Sequence, residues 1–289
     1  MAAADADSTV IVRDIDALRR RIGAWRRDHQ SVALVPTMGA LHNGHLTLMA
    51  RAQQMADRVV ATIFVNPKQF GPREDLAAYP RQESTDFQML AAAGVHLLFA
   101  PDVATMYPKG YATSVRVAGL STMLDGAHRR GHFDGVTTVV TKLLLQAGPN
   151  IALFGEKDYQ QLTIIKRLAV DLNIPVDIIG VPTVREGDGL AMSSRNAYLT
   201  AAERARAPAL YRAITAAAAD IAAGGDITAA LAVAREKILQ AGFSKIDYVD
   251  ARHEETLARL KSIREPGRIL AAAHMGNARL IDNVAIQRV

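Results

Sequence analysis

The chain has 289 residues, 49% hydrophobic and 22% charged, a composition that is typical of a folded globular protein and excludes an intrinsically disordered one. Its net charge of +5 is small, and its basic residues do not alternate with aromatic ones, so no nucleic-acid partner is expected. Cysteine is absent, which excludes disulfide bonds, thiolate metal sites and thiol nucleophiles.

The sequence favours a cytoplasmic location. The segment Met1 to Asp7 lacks the basic and apolar regions of a secretory signal, and no apolar run is long enough to span a bilayer, so no membrane partner is expected. A chain without cysteine also suits a reducing compartment.

Helical and strand-like patterns alternate along the first part of the chain. Helical periodicity predicts helices over 14–29, 46–55, 84–93, 133–146 and 158–173. Apolar or alternating runs predict strands over 32–35, 59–65, 95–99, 113–117, 151–154 and 176–181. This order predicts an α/β fold with a Rossmann-like parallel sheet that carries helices on both faces.

The remainder of the chain has a different pattern. Alanine-rich helices run from about Thr200 to Gln240 with a break at Gly224, and short strands follow over 246–249 and 269–274. Helices followed by strands predict a smaller C-terminal α+β domain. We expect a first domain over residues 1–184 and a smaller lid domain over residues 185–289.

The decapeptide PTMGALHNGH, Pro36 to His45, joins a predicted strand to a predicted helix through a glycine-bearing turn. The first N–H groups of a helix have no partner within the helix and attract anions such as phosphate. His42 and His45 lie three residues apart and therefore share one face of the first turn. Neither a P-loop nor a dinucleotide-binding glycine motif occurs elsewhere, so the decapeptide is the candidate nucleotide site.

Three further polar clusters follow predicted strands, where open parallel sheets bind ligands. They are Asn66 to Gln69, Phe154 to Leu162 and Arg185 to Leu199. Taken singly, each is explained as well by helix capping or by a solvated helix start. Taken together with the histidines, they supply what adenylyl transfer needs: backbone amides, hydroxyl donors, and cations in Lys157 and Arg195.

Four segments carry a resemblance to a known family: PTMGALHNGH, VNPKQFGPREDLAAYPR, FGEKDYQQL and VREGDGLAMSSRNAYL. Their order and spacing resemble those of the pantothenate synthetase family, from about Val10 to Val284. The H-x-G-H element alone would indicate only the wider nucleotidyltransferase superfamily. Asn43 stands at the x of this element, where the family often has an acidic residue, and both histidines are present.

The resemblance implies an ATP-dependent ligase that joins (R)-pantoate to β-alanine through a pantoyl adenylate and releases pyrophosphate and AMP. It implies Mg²⁺ bound with ATP as co-substrate, no organic prosthetic group, and a homodimer. The expected metal contact is Asp86, for which a helix N-terminal charge is the competing interpretation.

The resemblance also assigns roles to individual residues. Gln69 and Gln161 would bind pantoate, Gln69 would also bind β-alanine, and His45 would be the proton-donating catalytic residue. We expect His42, Lys157 and Arg195 to assist it by stabilising charge at the reacting phosphate. The ATP-binding residues would be Met38, Gly39, Ala40, Leu41, His42, Asn43, Gly44, His45, Gly155, Glu156, Lys157, Asp158, Val184, Met192, Ser193, Ser194 and Arg195.

One alternative lies within the same superfamily: a transferase that moves a nucleotidyl group to a phosphorylated acceptor. Such an enzyme is expected to keep extra basic residues for the phosphate of that acceptor. Here the residues expected on the acceptor side are two neutral glutamines, which favours a carboxylate with hydroxyl groups.

Overall fold

A computed structural model describes residues 8–72, 74–262 and 264–287 of the chain. The expectation for Met1 to Asp7 therefore lies outside the described residues. The strands are β1 Val10–Val12, β2 Val32–Thr37, β3 Arg58–Ile63, β4 Leu97–Phe99, β5 Ile151–Gly155, β6 Asp177–Val181, β7 Lys245–His253, β8 Gly267–Met275 and β9 Ala278–Ile286. The α-helices are α1 Ile15–Arg27, α2 Asn43–Gln53, α3 Glu83–Ala92, α4 Val103–Met106, α5 Leu124–His128, α6 His132–Ala147, α7 Tyr159–Asp171, α8 Ala201–Arg206, α9 Ala209–Ala222 and α10 Ile227–Gln240.

The first six strands form one parallel sheet in the order β1-β4-β3-β2-β5-β6. The chain proceeds outward from β2 through β3 on one side and from β5 through β6 on the other. The border between β2 and β5 is thus the switch point of the sheet, where connections leave in opposite directions and open a crevice. The decapeptide begins at the end of β2 and the cluster at Phe154 begins at the end of β5, and both continue into the segments that follow these strands.

Helices cover both faces of this sheet because its strand residues alternate between two apolar layers. Leu34 and Phe99 pack with α1, α6 and α7 on one face, and Val35 and Leu98 pack with α2 and α3 on the other. All four side chains are fully buried. The predicted Rossmann-like α/β architecture is confirmed.

The C-terminal part contains an antiparallel sheet in the order β7-β8-β9, with α9 and α10 packed against it. Its core includes Ile214, Val249 and Ile269, which are fully buried. This confirms the smaller α+β domain, although β9 was not predicted. Strand β6 ends at Val181 and α8 begins at Ala201, so the boundary at 184/185 lies in the connecting segment and stays a prediction.

One predicted strand is wrong. Residues 113–117 form no strand, because Thr side chains of α6 take the hydrogen bonds that a sheet neighbour would supply. The Val115 N–H donates to Thr138 Oγ1, and the Val115 carbonyl accepts from Thr137 Oγ1. The short edge strand β1, in contrast, was not predicted. Within the described residues, no helix has the length and apolarity to cross a membrane.

Candidate active site

A cavity of about 230 Å³ opens at the carboxyl ends of β2 and β5. It brings together residues from all four motifs that the sequence singled out. The predicted site residues in its lining are Met38, His42, Gly44, His45, Gln69, Gly155, Lys157, Asp158, Gln161, Val184, Met192, Ser193, Ser194 and Arg195. The predicted site residues outside the lining are Gly39, Ala40, Leu41, Asn43, Asp86 and Glu156.

The two histidines form a reciprocal cap at the start of α2. His42 Nδ1 accepts a hydrogen bond from the Gly44 N–H at 3.1 Å, and His45 Nδ1 accepts one from the His42 N–H at 3.3 Å. Because both Nδ1 atoms are acceptors, the proton of each neutral ring sits on Nε2. The cap therefore leaves each imidazole with one N–H donor that is not used at the helix end.

Both imidazoles are held in the neutral form. Burial, together with the positive charge of Lys157, lowers the pKa of His42 to about 4. Burial, then His42 and Lys157, lowers the pKa of His45 to about 3. The ring centroids lie 4.1 Å apart, so charging one ring would raise the cost of charging the other. Near neutral pH the pair acts as two hydrogen-bond donors and not as two cations.

Asp86 holds the turn that precedes α2. Its side chain is fully buried, and its two carboxylate oxygens accept from the N–H groups of Ala40 and Leu41 at 2.9 Å each. Gly39 (φ +80°) faces this carboxylate so closely that a Cβ there would lie 2.9 Å from Asp86 Oδ2. These contacts give Asp86 an anchoring role. Asp86 also lies in the first turn of α3, in agreement with the competing helix N-terminal interpretation, and its contact with Mg²⁺ stays a prediction.

Gln69 lies on the short 3₁₀ turn Pro67–Gln69 after β3. Its Oε1 accepts from Asn66 Nδ2 at 3.0 Å, and Asn66 Oδ1 in turn accepts from the Tyr107 hydroxyl at 2.7 Å. These bonds fix the orientation of the Gln69 amide. Its Nε2, 3.1 Å from the weak acceptor Met38 Sδ, is the end that lies beside the Met38 wall of the cavity.

Two residues that sequence reasoning missed, Arg129 and His132, also line the cavity. His132 Nε2 lies 3.0 Å from Arg129 Nη1, so it accepts, and Nδ1–H donates to the Gln69 carbonyl at 2.8 Å. Arg129 is paired with both carboxylate oxygens of Glu74. The sequence signal for this network is the segment HRRGHFDG at the start of α6, with its basic residues and glycines.

Arg195 is engaged by the loop after β3. Its Nε and Nη2 each donate to Asp75 at 3.0 Å, and the Tyr198 hydroxyl also donates to Asp75 at 3.3 Å. The Tyr79 and Ser194 hydroxyl oxygens lie 3.4 Å apart. Arg195 thus lines the cavity while paired with a carboxylate, and a phosphate would have to compete with Asp75 for it.

The acidic lining of the cavity is sparse. Among the described lining residues Asp158 is the one carboxylate, and it lies 3.6 Å from Lys157 Nζ. No group of three His, Asp or Glu side chains within the described ranges could hold a metal by itself. A metal ion here would take most of its ligands from a bound substrate, which is the usual pattern for Mg²⁺ on a triphosphate.

Comparison with known proteins identifies related sequences along nearly the whole chain. A family model described as pantoate-beta-alanine ligase matches residues 10–285. The chain is 58% identical to the pantothenate synthetase of Paramagnetospirillum magneticum over 277 residues, which cover 96% of this chain and 98% of that protein. It is 53% identical to the pantothenate synthetase of Rhodospirillum rubrum over 277 residues, with the same coverage.

Solved structures give the same result. The crystal structure of pantothenate synthetase from Thermus thermophilus matches with a TM-score of 0.91 and 46% identity, covering 96% of this chain and 99% of that one. The pantoate-beta-alanine ligase of Francisella tularensis, complexed with beta-gamma ATP and β-alanine, matches with a TM-score of 0.82 and 36% identity, covering 96% and 98%.

Proposed function

This chain belongs to the pantoate–β-alanine ligase family, and we propose that it joins pantoate to β-alanine at the expense of ATP through a pantoyl-adenylate intermediate. One observation supports this proposal above the others: a single cavity at the switch point of the sheet is lined by the histidine pair, Lys157, Gln69 and Gln161. It offers donors for phosphate oxygens beside neutral amides for a hydroxy acid.

In the first step, the carboxylate of pantoate needs to be aligned with ATP more than it needs to be activated. A carboxylate oxygen of pantoate attacks the α-phosphorus of ATP, the bond from that phosphorus to the bridging oxygen breaks, and pyrophosphate leaves. The carboxylate is already a nucleophile, so the site has no need of a general base at this stage. What lowers the barrier is in-line positioning and relief of the negative charge on the phosphoryl oxygens.

The histidine pair suits that charge relief. Neutral imidazoles with fixed Nε2–H groups donate to oxygens at which charge develops, and their low pKa values keep them uncharged at neutral pH. The proposed role of His45 is therefore that of a hydrogen-bond donor that keeps its proton, which differs from the proton-donating role expected from the resemblance. Lys157, and Arg195 once it leaves Asp75, would offset the charge of the leaving pyrophosphate.

Gln69 and Gln161 suit the binding of pantoate, which accepts the adenylyl group. Gln69 Oε1 is already bonded to Asn66, so its Nε2–H₂ is the group left to donate to a carboxylate or hydroxyl oxygen. Gln161 lines the same cavity and can both donate and accept. Phe64, Phe154 and Val139 supply apolar lining that fits the gem-dimethyl group of pantoate.

In the second step the amine of β-alanine attacks the carbonyl carbon of the adenylate, the bond from that carbon to the AMP oxygen breaks, and the amine loses a proton. Water would compete as a nucleophile, so the adenylate must be shielded. We propose that the lid domain over residues 185–289 provides this shielding, since Ser193 to Arg195 in the connecting segment already line the cavity.

The remaining assignments are also proposals. The residues predicted to bind ATP keep that assignment, with Gly39 to Leu41 and Glu156 contributing from behind the cavity lining, and Asn43 at the exposed start of α2. Mg²⁺ would enter with the triphosphate, and Asp158 is the carboxylate placed to contact it. We also propose that the protein is a cytoplasmic homodimer.

The alternative reaction, nucleotidyl transfer to a phosphorylated acceptor, is not favoured. Among the described residues that line the cavity, the one additional cation beside Gln69 is Arg129, and its guanidinium is paired with both oxygens of Glu74. The groups left to contact an acceptor are the neutral amides of Gln69 and Gln161, which suit a hydroxy acid better than a phosphate.

The test is product formation by the purified protein. We expect pyrophosphate release that requires ATP and pantoate together, followed by AMP and pantothenate when β-alanine is added. Pyrophosphate release that ignores pantoate but responds to a phosphorylated acceptor would support the alternative reaction and overturn this proposal.

A further inference from the structure

The segment Gly155–Asp158, which the proposed function assigns to ATP, is held from behind by the C-terminal sheet. Asn283 on β9 donates through Nδ2 to the carbonyl of Glu156 at 2.8 Å and to the carbonyl of Lys157 at 3.0 Å. Asn283 is only 3% exposed, so these bonds form away from solvent. Nothing in the sequence around Asn283 indicated such a contact.

The orientation of the Asn283 amide follows from its neighbours. Arg268 Nη1 donates to Asn283 Oδ1 at 2.6 Å, and both partners of Nδ2 are carbonyl oxygens that can only accept. An exchange of the amide O and N would place the oxygen against two carbonyl oxygens and the nitrogen against the Arg268 donor. The amide is therefore fixed, and its donor end is used to hold the backbone.

Holding these two carbonyls also directs two N–H groups. In a trans peptide the C=O and the following N–H point in opposite directions, so fixing the carbonyls of Glu156 and Lys157 turns the N–H groups of Lys157 and Asp158 away from Asn283. Lys157 and Asp158 both line the cavity. A loop held in this way needs less ordering when a nucleotide binds.

The neighbouring residue on β9 performs a parallel task. Asp282 accepts from Arg185 Nη1 and Nη2 at 2.7 and 2.8 Å, and it is 4% exposed. Arg185 directly follows Val184, which lines the cavity. Two consecutive residues of β9 thus fix two of the segments that are assigned to ATP.

We infer that Asn283 is a positioning residue for ATP: through its two hydrogen bonds it sets the backbone of Glu156 and Lys157, and so couples the C-terminal sheet to the nucleotide site. This inference rests on the proposed function only in taking ATP as the nucleotide. It assigns no contact between Asn283 and substrate.

The test compares two substitutions at this position. Asn283→Asp keeps the shape and the partner Arg268 but replaces the donor by an oxygen that repels both carbonyls, whereas Asn283→Ala removes the side chain. For both variants we expect the KM for ATP and the Kd for β,γ-methylene-ATP, measured by calorimetry, to rise about tenfold, with the KM for β-alanine within about twofold of wild type.

Arg235→Ala is the control for general weakening of the C-terminal domain, because Arg235 bonds to the Val249 carbonyl and Asp250 within that domain. It should leave the Kd for the ATP analogue unchanged. If Asn283→Asp fails to fold, Arg268→Met, which removes the donor to Asn283 Oδ1, replaces it, with an expected rise of about threefold in that Kd.

Analogue binding by Asn283→Asp within about twofold of wild type would overturn the inference, as would an equal loss in Arg235→Ala. Failure of the proposed function would give a different result: the wild-type protein would form no pantothenate. The binding measurement remains informative in that case, because it uses the ATP analogue alone.

Discussion

Gly44 lacks a side chain where the His42 ring occupies the space that a Cβ would need. A Cβ on Gly44 would lie 2.8 Å from His42 Cε1 and 2.9 Å from Nδ1, closer than van der Waals contact allows. Gly44 has no positive φ, so alanine is tolerated by the backbone itself. The glycine is required by the position of the His42 imidazole and not by the helix.

We therefore expect Gly44→Ala to lower kcat by about 10- to 100-fold, because the His42 ring must move and its bond to the helix end is lost. Steady-state kinetics with circular dichroism measures this. Gly23→Ala, in the middle of α1 with no atom closer than 3.9 Å to the added Cβ, is the matched control and should keep full activity. Full activity in Gly44→Ala would contradict the assigned geometry.

Buried His132 makes stability depend on pH. Burial and Arg129 lower the pKa of His132 to about 4, whereas the unfolded chain has a histidine pKa of about 6.5. Between these values the unfolded chain binds more protons, so stability is greatest above pH 6.5 and falls as the pH falls toward 4.

Replacing His132 by glutamine should remove part of that dependence. We expect the free energy of unfolding to fall less between pH 7.5 and 5.0 in His132→Gln than in wild type, by about 1–2 kcal/mol. Urea denaturation at both pH values measures the difference. Equal losses in the two proteins would show that His132 is not held neutral.

At the scale of elements, α6 meets the 3₁₀ turn Pro67–Gln69 through Gly135. A Cβ on Gly135 would lie 2.2 Å from the Lys68 carbonyl oxygen and 2.6 Å from the Gln69 nitrogen, and the Gly135 carbonyl accepts from Asn66 Nδ2. Both neighbours are backbone atoms, which cannot turn aside as a flexible side chain can. The contact therefore sets the distance between α6 and Gln69.

Gly135→Ala should push this turn away from α6 and move Gln69. We expect the KM for pantoate to rise at least about tenfold, with a smaller change in the KM for ATP, because the decapeptide and Lys157 are not in this contact. Initial-rate kinetics with each substrate varied measures the split. A pantoate KM within about twofold of wild type would remove Gln69 from the pantoate site.

Whether a helix or strand could be predicted depends on where its backbone groups find their hydrogen bonds. The central strands β2 and β3 were predicted because strands covered by helices on both faces are apolar runs. Residues 113–117 alternate like a strand, but Thr137 and Thr138 of α6 bond to Val115 instead. Pattern alone does not distinguish a sheet neighbour from a threonine at a distant position in the chain.

The site residues also divide into those that a local motif indicates and those that depend on tertiary contacts. His42, His45, Lys157 and Gln69 lie in compact motifs and could be found from the sequence, whereas Asn283 acts through tertiary contacts 127 and 126 residues away along the chain. For Asp86 the sequence indicated the position in the first turn of α3 but not the contacts with the turn after β2. Its partners, the N–H groups of Ala40 and Leu41, depend on how α3 packs beside the turn after β2.

At the scale of the whole molecule, a buried polar cluster joins the two domains. Arg279 on β9 pairs with Asp125 on α5 and with Asp247 on β7, and the Tyr248 hydroxyl donates to Asp125 at 2.9 Å. The side chains of Asp125 and Asp247 are 11% and 3% exposed. The arginine thus offsets two carboxylates that have little access to water.

Removing Arg279 should cost far more than removing a single hydrogen bond. We expect Arg279→Ala to lower the free energy of unfolding by about 3–5 kcal/mol, because buried Asp125 loses its ion-pair partner, whereas Asp247 keeps Lys245 at 2.8 Å. Tyr248→Phe, the matched change in the same cluster, should cost about 1 kcal/mol. Urea denaturation compares the two, and equal costs would contradict the role of Arg279 as the shared cation.

A pantoyl-adenylate intermediate determines the fate of one oxygen atom of pantoate. With pantoate labelled by ¹⁸O in its carboxylate, the adenylate places a carboxylate oxygen between carbon and the α-phosphorus, and attack by β-alanine leaves that oxygen on AMP. Mass spectrometry of the products of wild-type enzyme should find one ¹⁸O in each AMP. Unlabelled AMP, or label in inorganic phosphate or pyrophosphate, would contradict the account.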